Sequence, residues 1–144
     1  MSSTTSWITH AYGVIHLAIQ VHDVLPTGQV DTQSAVCYTG WSEKLRFRPS
    51  NRFALFDDQQ LVPRHQTHPV RKAIEQLSSA LDEQFTPSYR IDITGNVPRD
   101  AGVSIEASLM AQTLRALNRL EGLNLSQQEI LNIGQPLHPD IVPC

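Results

Sequence analysis

A change of hydrophobic period near the middle of the chain constrains its fold more than any other feature. In VIHLAIQV, Ile15, Leu17, Ile19 and Val21 alternate with Val14, His16, Ala18 and Gln20, the period of a half-buried strand. Pro26 and Gly28 in LPTGQVDTQ read as a loop, and SAVCYTGW, EKLRFRP and NRFALFD as further short strands. From Thr67 the period becomes helical: Val70, Ile74, Leu77 and Leu81 recur every three or four residues. Thr67 is placed as N-cap and Pro69 in the first turn, with the helix running to about Gln84.

YRIDIT returns to alternation, and a second helix carries Leu109, Leu114, Leu117 and Leu120 on or near one stripe until Gly122. Ser126 and Glu129 are spaced as a capping box for a short third helix ending near Ile133. Strands first, then helices with one strand between them, give an α+β layout: a mostly antiparallel sheet with helices on one face. The 144 residues, 40% hydrophobic, suit a single domain spanning 1–144.

Composition narrows the function classes. Eleven Lys and Arg against fourteen Asp and Glu leave a formal charge of −3, with the cations scattered along the chain; this argues against nucleic acid as a partner. Cys37 and Cys144 are too far apart in sequence for a CxxC metal pair and read as free thiols. No apolar run is long enough to span a membrane, and MSSTTSWITH lacks a signal peptide's basic and apolar regions, so the expectation is a cytoplasmic protein with no membrane partner. His65 and His68 lack acidic or Cys partners in sequence for zinc, and no metal site is expected from the residues alone. Arg64, Arg71 and Lys72 read as solvated charges.

The segment GNVPRDAGVSIEASLMAQTLRALN, Gly95 to Asn118, begins with a turn and enters a long helix. Val97-Pro98, Gly102, Ser108 and the closing Leu117-Asn118 match the frame of a Gly-rich phosphate loop, and GLNLSQQEILNIGQPLHPD follows at matching spacing, ending on Asp140. Together with Ala11, Ile15 and Leu17 of the opening strand, these residues resemble the N-terminal half of the GHMP kinase superfamily, and within it most closely the 4-diphosphocytidyl-2-C-methyl-D-erythritol kinase family.

The resemblance implies the GHMP kinase N-terminal domain, a ribosomal protein S5 domain 2-like fold, with the family's C-terminal domain absent. It implies ATP and Mg2+ as cofactors and phosphorylation of a small-molecule substrate's 2-hydroxyl in the non-mevalonate isoprenoid route. By the same resemblance the ATP-binding loop is 98–108, with Pro98, Asp100, Gly102, Ser104, Glu106 and Ser108. The substrate loop falls on Gly28, Gln29 and Val30, and the catalytic base on Asp140.

Several residues depart from that pattern. The family lysine position holds Val14 and the asparagine position His16, which is left as the substitute donor toward Asp140. Family glycine positions hold Asp100, Ala101, Ser104, Ile105 and Glu106. One like-charge contact with a phosphate at ~4 Å costs roughly 4 kcal/mol at an effective dielectric of about 20, whereas acids in a helix's first turn complement its dipole. Two functions therefore stand open: a kinase using ATP, or a non-catalytic module of the same fold that binds no cofactor. The Leu109–Leu120 stripe reads as core, and a homodimer of the module would use surface that the family's second domain otherwise covers, the stripe serving only if it were left exposed.

Overall fold

The computed structural model describes residues 6–24, 30–82, 88–98 and 105–137, and within 14–39 the course of the backbone alone. In chain order these form β1 (Trp7–Val24), β2 (Val30–Pro49), β3 (Ala54–Asp57), β4 (Gln60–Leu61), α1 (Pro69–Ala80), β5 (Tyr89–Gly95), α2 (Ile105–Leu120) and α3 (Gln127–Gly134). The sheet order is β1-β2-β5-β3-β4. All neighbours are antiparallel except β3 and β5, which run parallel. The α+β layout and mostly antiparallel sheet thus agree with the sequence.

Alternation decides which side of the sheet is covered. Ala11 on β1, Leu45 and Phe47 on β2, Leu55 on β3 and Ile91 and Ile93 on β5 are buried, and the register sets them side by side. Val70, Ala73, Ile74 and Leu77 of α1 and Leu109, Met110, Leu114 and Leu117 of α2 join them in one core cluster. The Leu stripe is therefore core, in agreement with the sequence, with Leu120 packed at its margin. The Thr113 hydroxyl, fully buried, donates to the Leu109 carbonyl at 2.7 Å, the local bond that lets a polar side chain sit inside a helix.

Several boundaries differ from the sequence expectation. The separate strands expected between Ser34 and Pro49 are one strand, β2, and it begins at Val30, within the stretch expected as loop. Its partner β1 makes this continuity possible: the two pair from Trp7↔Phe47 to Val24↔Val30, absorbing three register shifts. Only Glu43–Pro49 also pair with β5, so the outer part of this ribbon is two-stranded within the sheet. The β3–β4 hairpin turns on Asp58 and Gln59, both with positive φ (52° and 66°). That geometry matches the twist of the flanking strands, but Gln59 stands where the sequence signal would be glycine.

The first helix is capped by His68, not Thr67, and ends at Ala80 rather than Gln84. His68 is extended (φ −147°, ψ 140°) and its Nδ1 accepts the Val70 N–H at 3.1 Å, placing Pro69 at the start, where a missing N–H costs nothing. Arg71 is not a solvated charge. Its guanidinium donates to the carbonyls of Pro63 (2.6 Å), Gln66 (2.9 Å) and Val62 (3.2 Å), clamping the loop before α1. The capping box of α3 is as expected: Ser126 Oγ accepts the Glu129 N–H and the Glu129 carboxylate accepts the Ser126 N–H, both at 3.1 Å.

Candidate functional site

An open cavity of about 400 Å3 lies on the helix side of the sheet, where β5 ends and the chain approaches Pro98. Glu43, Gly95 and Val97 border it on one side, and Asp57, Asp58, Gln60 and His68 on the other. Glu43 belongs to the packed face by alternation with Leu45 and Phe47 and is only 3% exposed. Opposite it, Gly95 supplies the space: a Cβ there would run into the Glu43 carboxylate and the Ser42 carbonyl. The glycine is required by close approach, not by backbone dihedrals.

His68, buried, ties the far wall together. Its Nδ1 accepts from Val70, so the proton lies on Nε2, which donates to Asp57 Oδ2 at 2.9 Å. Both ring nitrogens are thus occupied in holding β3 to the start of α1, and His68 is a structural cap whose ring edge borders the cavity. With both nitrogens so engaged, the ring has no lone pair turned to a partner at His65, and the described residues contain no cluster of His, Cys, Asp or Glu suited to a metal ion.

The Pro98-to-Asn118 frame is realised as strand, connection and helix. Pro98 is exposed after β5, and Glu106 is exposed in the first turn of α2, where its charge complements the helix dipole. Ser108 donates to the Tyr12 carbonyl at 2.7 Å, anchoring the start of α2 to β1 two residues before Val14. Asn118 closes the frame structurally: its side-chain amide donates to the Leu125 carbonyl (3.1 Å) and accepts the Leu125 N–H (2.8 Å). This holds the turn through Gly122 and Asn124, whose φ values are 62° and 57°.

The other residues singled out in the sequence are placed only partly. Val14 and His16 lie in β1, opposite Tyr38 and Val36, and Val30 opens β2 opposite Val24; their side chains lie outside the described part. Gly28, Gln29, Asp100, Gly102, Ser104 and Asp140 also lie outside the described residues. Conversely, no motif in the sequence groups Glu43, Asp57 and His68. The available signals were an acid on the apolar phase of EKLRFRP and a side-chain acceptor immediately before Pro69.

The model for the GHMP kinases N terminal domain matches residues 68–144, just over half the chain and all of the frame just described. The chain belongs to the GHMP kinase family. It is 27% identical over 132 residues to the 4-diphosphocytidyl-2-C-methyl-D-erythritol kinase of Chloroherpeton thalassium, covering 92% of this chain and 46% of that protein. The kinase of the same name from Caldicellulosiruptor saccharolyticus is 40% identical over 69 residues, 46% of this chain and 24% of the relative.

Among solved structures, a 4-(cytidine 5'-diphospho)-2C-methyl-D-erythritol kinase superposes with TM-score 0.66 at 18% identity, covering 94% of this chain and 47% of the other. The Methanococcus jannaschii mevalonate kinase superposes at 0.67 with 13% identity, covering 92% and 46%. These likenesses establish the GHMP kinase N-terminal fold. The chain spans about half the length of the curated relatives it matches over most of its residues. No helix among the described residues is long and apolar enough to cross a membrane.

Proposed function

We propose that this chain, as a single domain, supplies the nucleotide-holding part of an ATP-dependent kinase acting on an alcohol group of a small molecule. The proposed substrate is a diphosphocytidyl-methylerythritol, phosphorylated at its 2-hydroxyl in the cytoplasm. One observation carries this reading: the cavity bordered by Gly95 and Val97 opens immediately before the Pro98 connection that leads into α2. On this reading the phosphates would lie along that connection and the helix N-terminus, the usual seat of a phosphate chain.

The wall offers acceptors from Glu43 and Asp57 to the donor groups of a base, so the cavity end fits a nucleoside. The phosphate end fits less well, because Glu106 sets a negative charge in the first turn of α2. Mg2+, when bound with ATP, would neutralise phosphate charge. The residues proposed to meet the nucleotide are Pro98, Asp100, Gly102, Ser104, Glu106 and Ser108, with Gly28, Gln29 and Val30 toward the substrate. Asp140 is the proposed group that orients or deprotonates the accepting hydroxyl, with His16 beside it in place of the family lysine lost at Val14.

The second reading, a non-catalytic module of this fold, draws on Val14 and on Glu106. Titration with Mg-ATP separates the two. A melting temperature that rises with millimolar nucleotide supports the first reading, and turnover of the diphosphocytidyl substrate that disappears in Asp140→Asn would defeat the second. A flat titration together with no turnover would instead leave the chain as the module.

A further inference from the structure

The side of the sheet away from the helices bears a different kind of surface. On β1, Ile8, His10 and Tyr12 are exposed and alternate with the buried or half-buried residues of the packed face. The register sets them opposite Arg46, Lys44 and Ser42 of β2. Beyond β2, Arg46 pairs with Asp92 of β5, Arg48 with Arg90 and Lys44 with Thr94. Lys44, Arg46 and Arg48, scattered as they look in EKLRFRP, stand in one row because every second residue of a strand points the same way. Their spacing is ~6.7 Å along the strand.

Four cations, Lys44, Arg46, Arg48 and Arg90, therefore share this face with a single carboxylate among its described residues, Asp92, in a chain whose formal charge is −3. Arg48 and Arg90 are tied to that carboxylate at 2.6 Å and 3.2 Å. Lys44 and Arg46 form no ion pair among the described residues. Beside them the rings of His10 and Tyr12 stack with centroids 6.3 Å apart and planes 28° from parallel, and Tyr12 is 48% exposed. At the other margin the Arg90 guanidinium lies 4.1 Å from the centre of the Phe56 ring. Flat rings beside a row of cations suit a strand that offers unstacked bases and phosphates together.

We propose that this open sheet face binds single-stranded nucleic acid, with bases laid on the Tyr12–His10 pair and the backbone running along Lys44 and Arg46. An acidic peptide would satisfy the cations but not use the rings. A lipid surface would need a continuous apolar patch, but across the sheet Arg46 and Asp92 stand between Ile8 on β1 and Leu61 on β4. The proposal is independent of the kinase reading, since this face lies across the sheet from the cavity.

The test is fluorescence anisotropy of the whole chain with labelled oligo-U and oligo-A, beside heparin and poly-glutamate as polyanions without bases. Binding of the oligonucleotides should weaken with salt with a logarithmic slope of about −1.4, the value for two neutralised phosphates on a single strand. Tyr12→Ala should weaken it by about tenfold, and the double variant Lys44→Glu with Arg46→Glu should abolish it. Unchanged melting temperatures would show that these exposed changes leave the fold intact. Three results would overturn the proposal: no oligonucleotide binding at ~50 mM salt, where such contacts are strong; binding indifferent to Tyr12→Ala and matched by the polyanions; or displacement by excess Mg-ATP, which would put the strand in the cavity.

Discussion

The two faces of one sheet use the same strands for opposite ends. Along β2, Glu43, Leu45 and Phe47 are buried against helices, while Lys44, Arg46 and Arg48 between them face out. The buried set is joined to its surroundings by packing that a single methylene perturbs. The outward set has its pairings in or near solvent, where an exposed ion pair is worth a kcal/mol or less. Substitutions on the packed side should therefore register as stability and those on the open side as binding. The contrast can be broken by measuring both in the same variants.

The largest expected effect is Leu45→Ala, which empties a fully buried site and should cost about 2–5 kcal/mol in urea unfolding. A loss under ~1 kcal/mol would mean that the two faces differ less than their burial indicates. Gly95→Ala should cost about 1–3 kcal/mol, because the new methyl meets a backbone carbonyl that cannot turn away, as well as the Glu43 carboxylate. The same variant should narrow the cavity and weaken nucleotide binding more than stability alone accounts for. His68→Ala removes the cap of α1 and leaves Asp57 without its Nε2–H donor, an expected loss of about 0.5–2 kcal/mol. His68→Asn, which restores a cap acceptor, should recover part of it.

Titration distinguishes the faces from the other direction. Tyr89, on the packed side and edge-on to Phe47 at 6.3 Å, has its phenol pushed up to about 12 by burial first, then by its hydrogen bond to Glu121 and that carboxylate's charge. Its contribution is complete below pH ~10 and is lost as pH rises toward 12. Asp92, on the open side, is pushed up by burial, but hydrogen bonds and charge from Arg48 and Arg90 outweigh this and hold its carboxyl below the ordinary 3.8. Its contribution is present above that value and is lost as pH falls through the lowered one. Base should thus loosen the packed side and acid the open side, seen as separate drops in melting temperature, of which Tyr89→Phe removes the first and Asp92→Asn the second. The smallest effect is Arg46→Ala, which should move stability by less than ~0.5 kcal/mol.

Much of this architecture was legible in the sequence because the hydrophobic period changes type where the structure does. Leu109, Leu114 and Leu117 announced the buried stripe of α2, and Ser126 with Glu129 announced the start of α3. Less was legible where a long-range partner overrides a local signal. Nothing within Val30–Gln33 says strand, but β1 pairs with it throughout. Thr67 is the better cap by composition, yet His68 takes the role because Asp57, eleven residues earlier, holds its other nitrogen. The frame from Pro98 to Asn118 was legible as a turn entering a helix, but the cavity was not, because Glu43, Asp57 and His68 meet only once β2, β3 and α1 have come together.

The sheet order also bears on how the chain assembles during synthesis. β5 lies between β2 and β3, yet it follows both of them and α1 in the chain. Until it emerges, a nascent chain holds two strand edges facing an empty slot. Such edges invite pairing with another chain. Crowded ribosomes making this protein would therefore favour association through β2 and β3, and a peptide spanning Tyr89–Gly95, supplied in excess to a refolding chain, should compete for that slot.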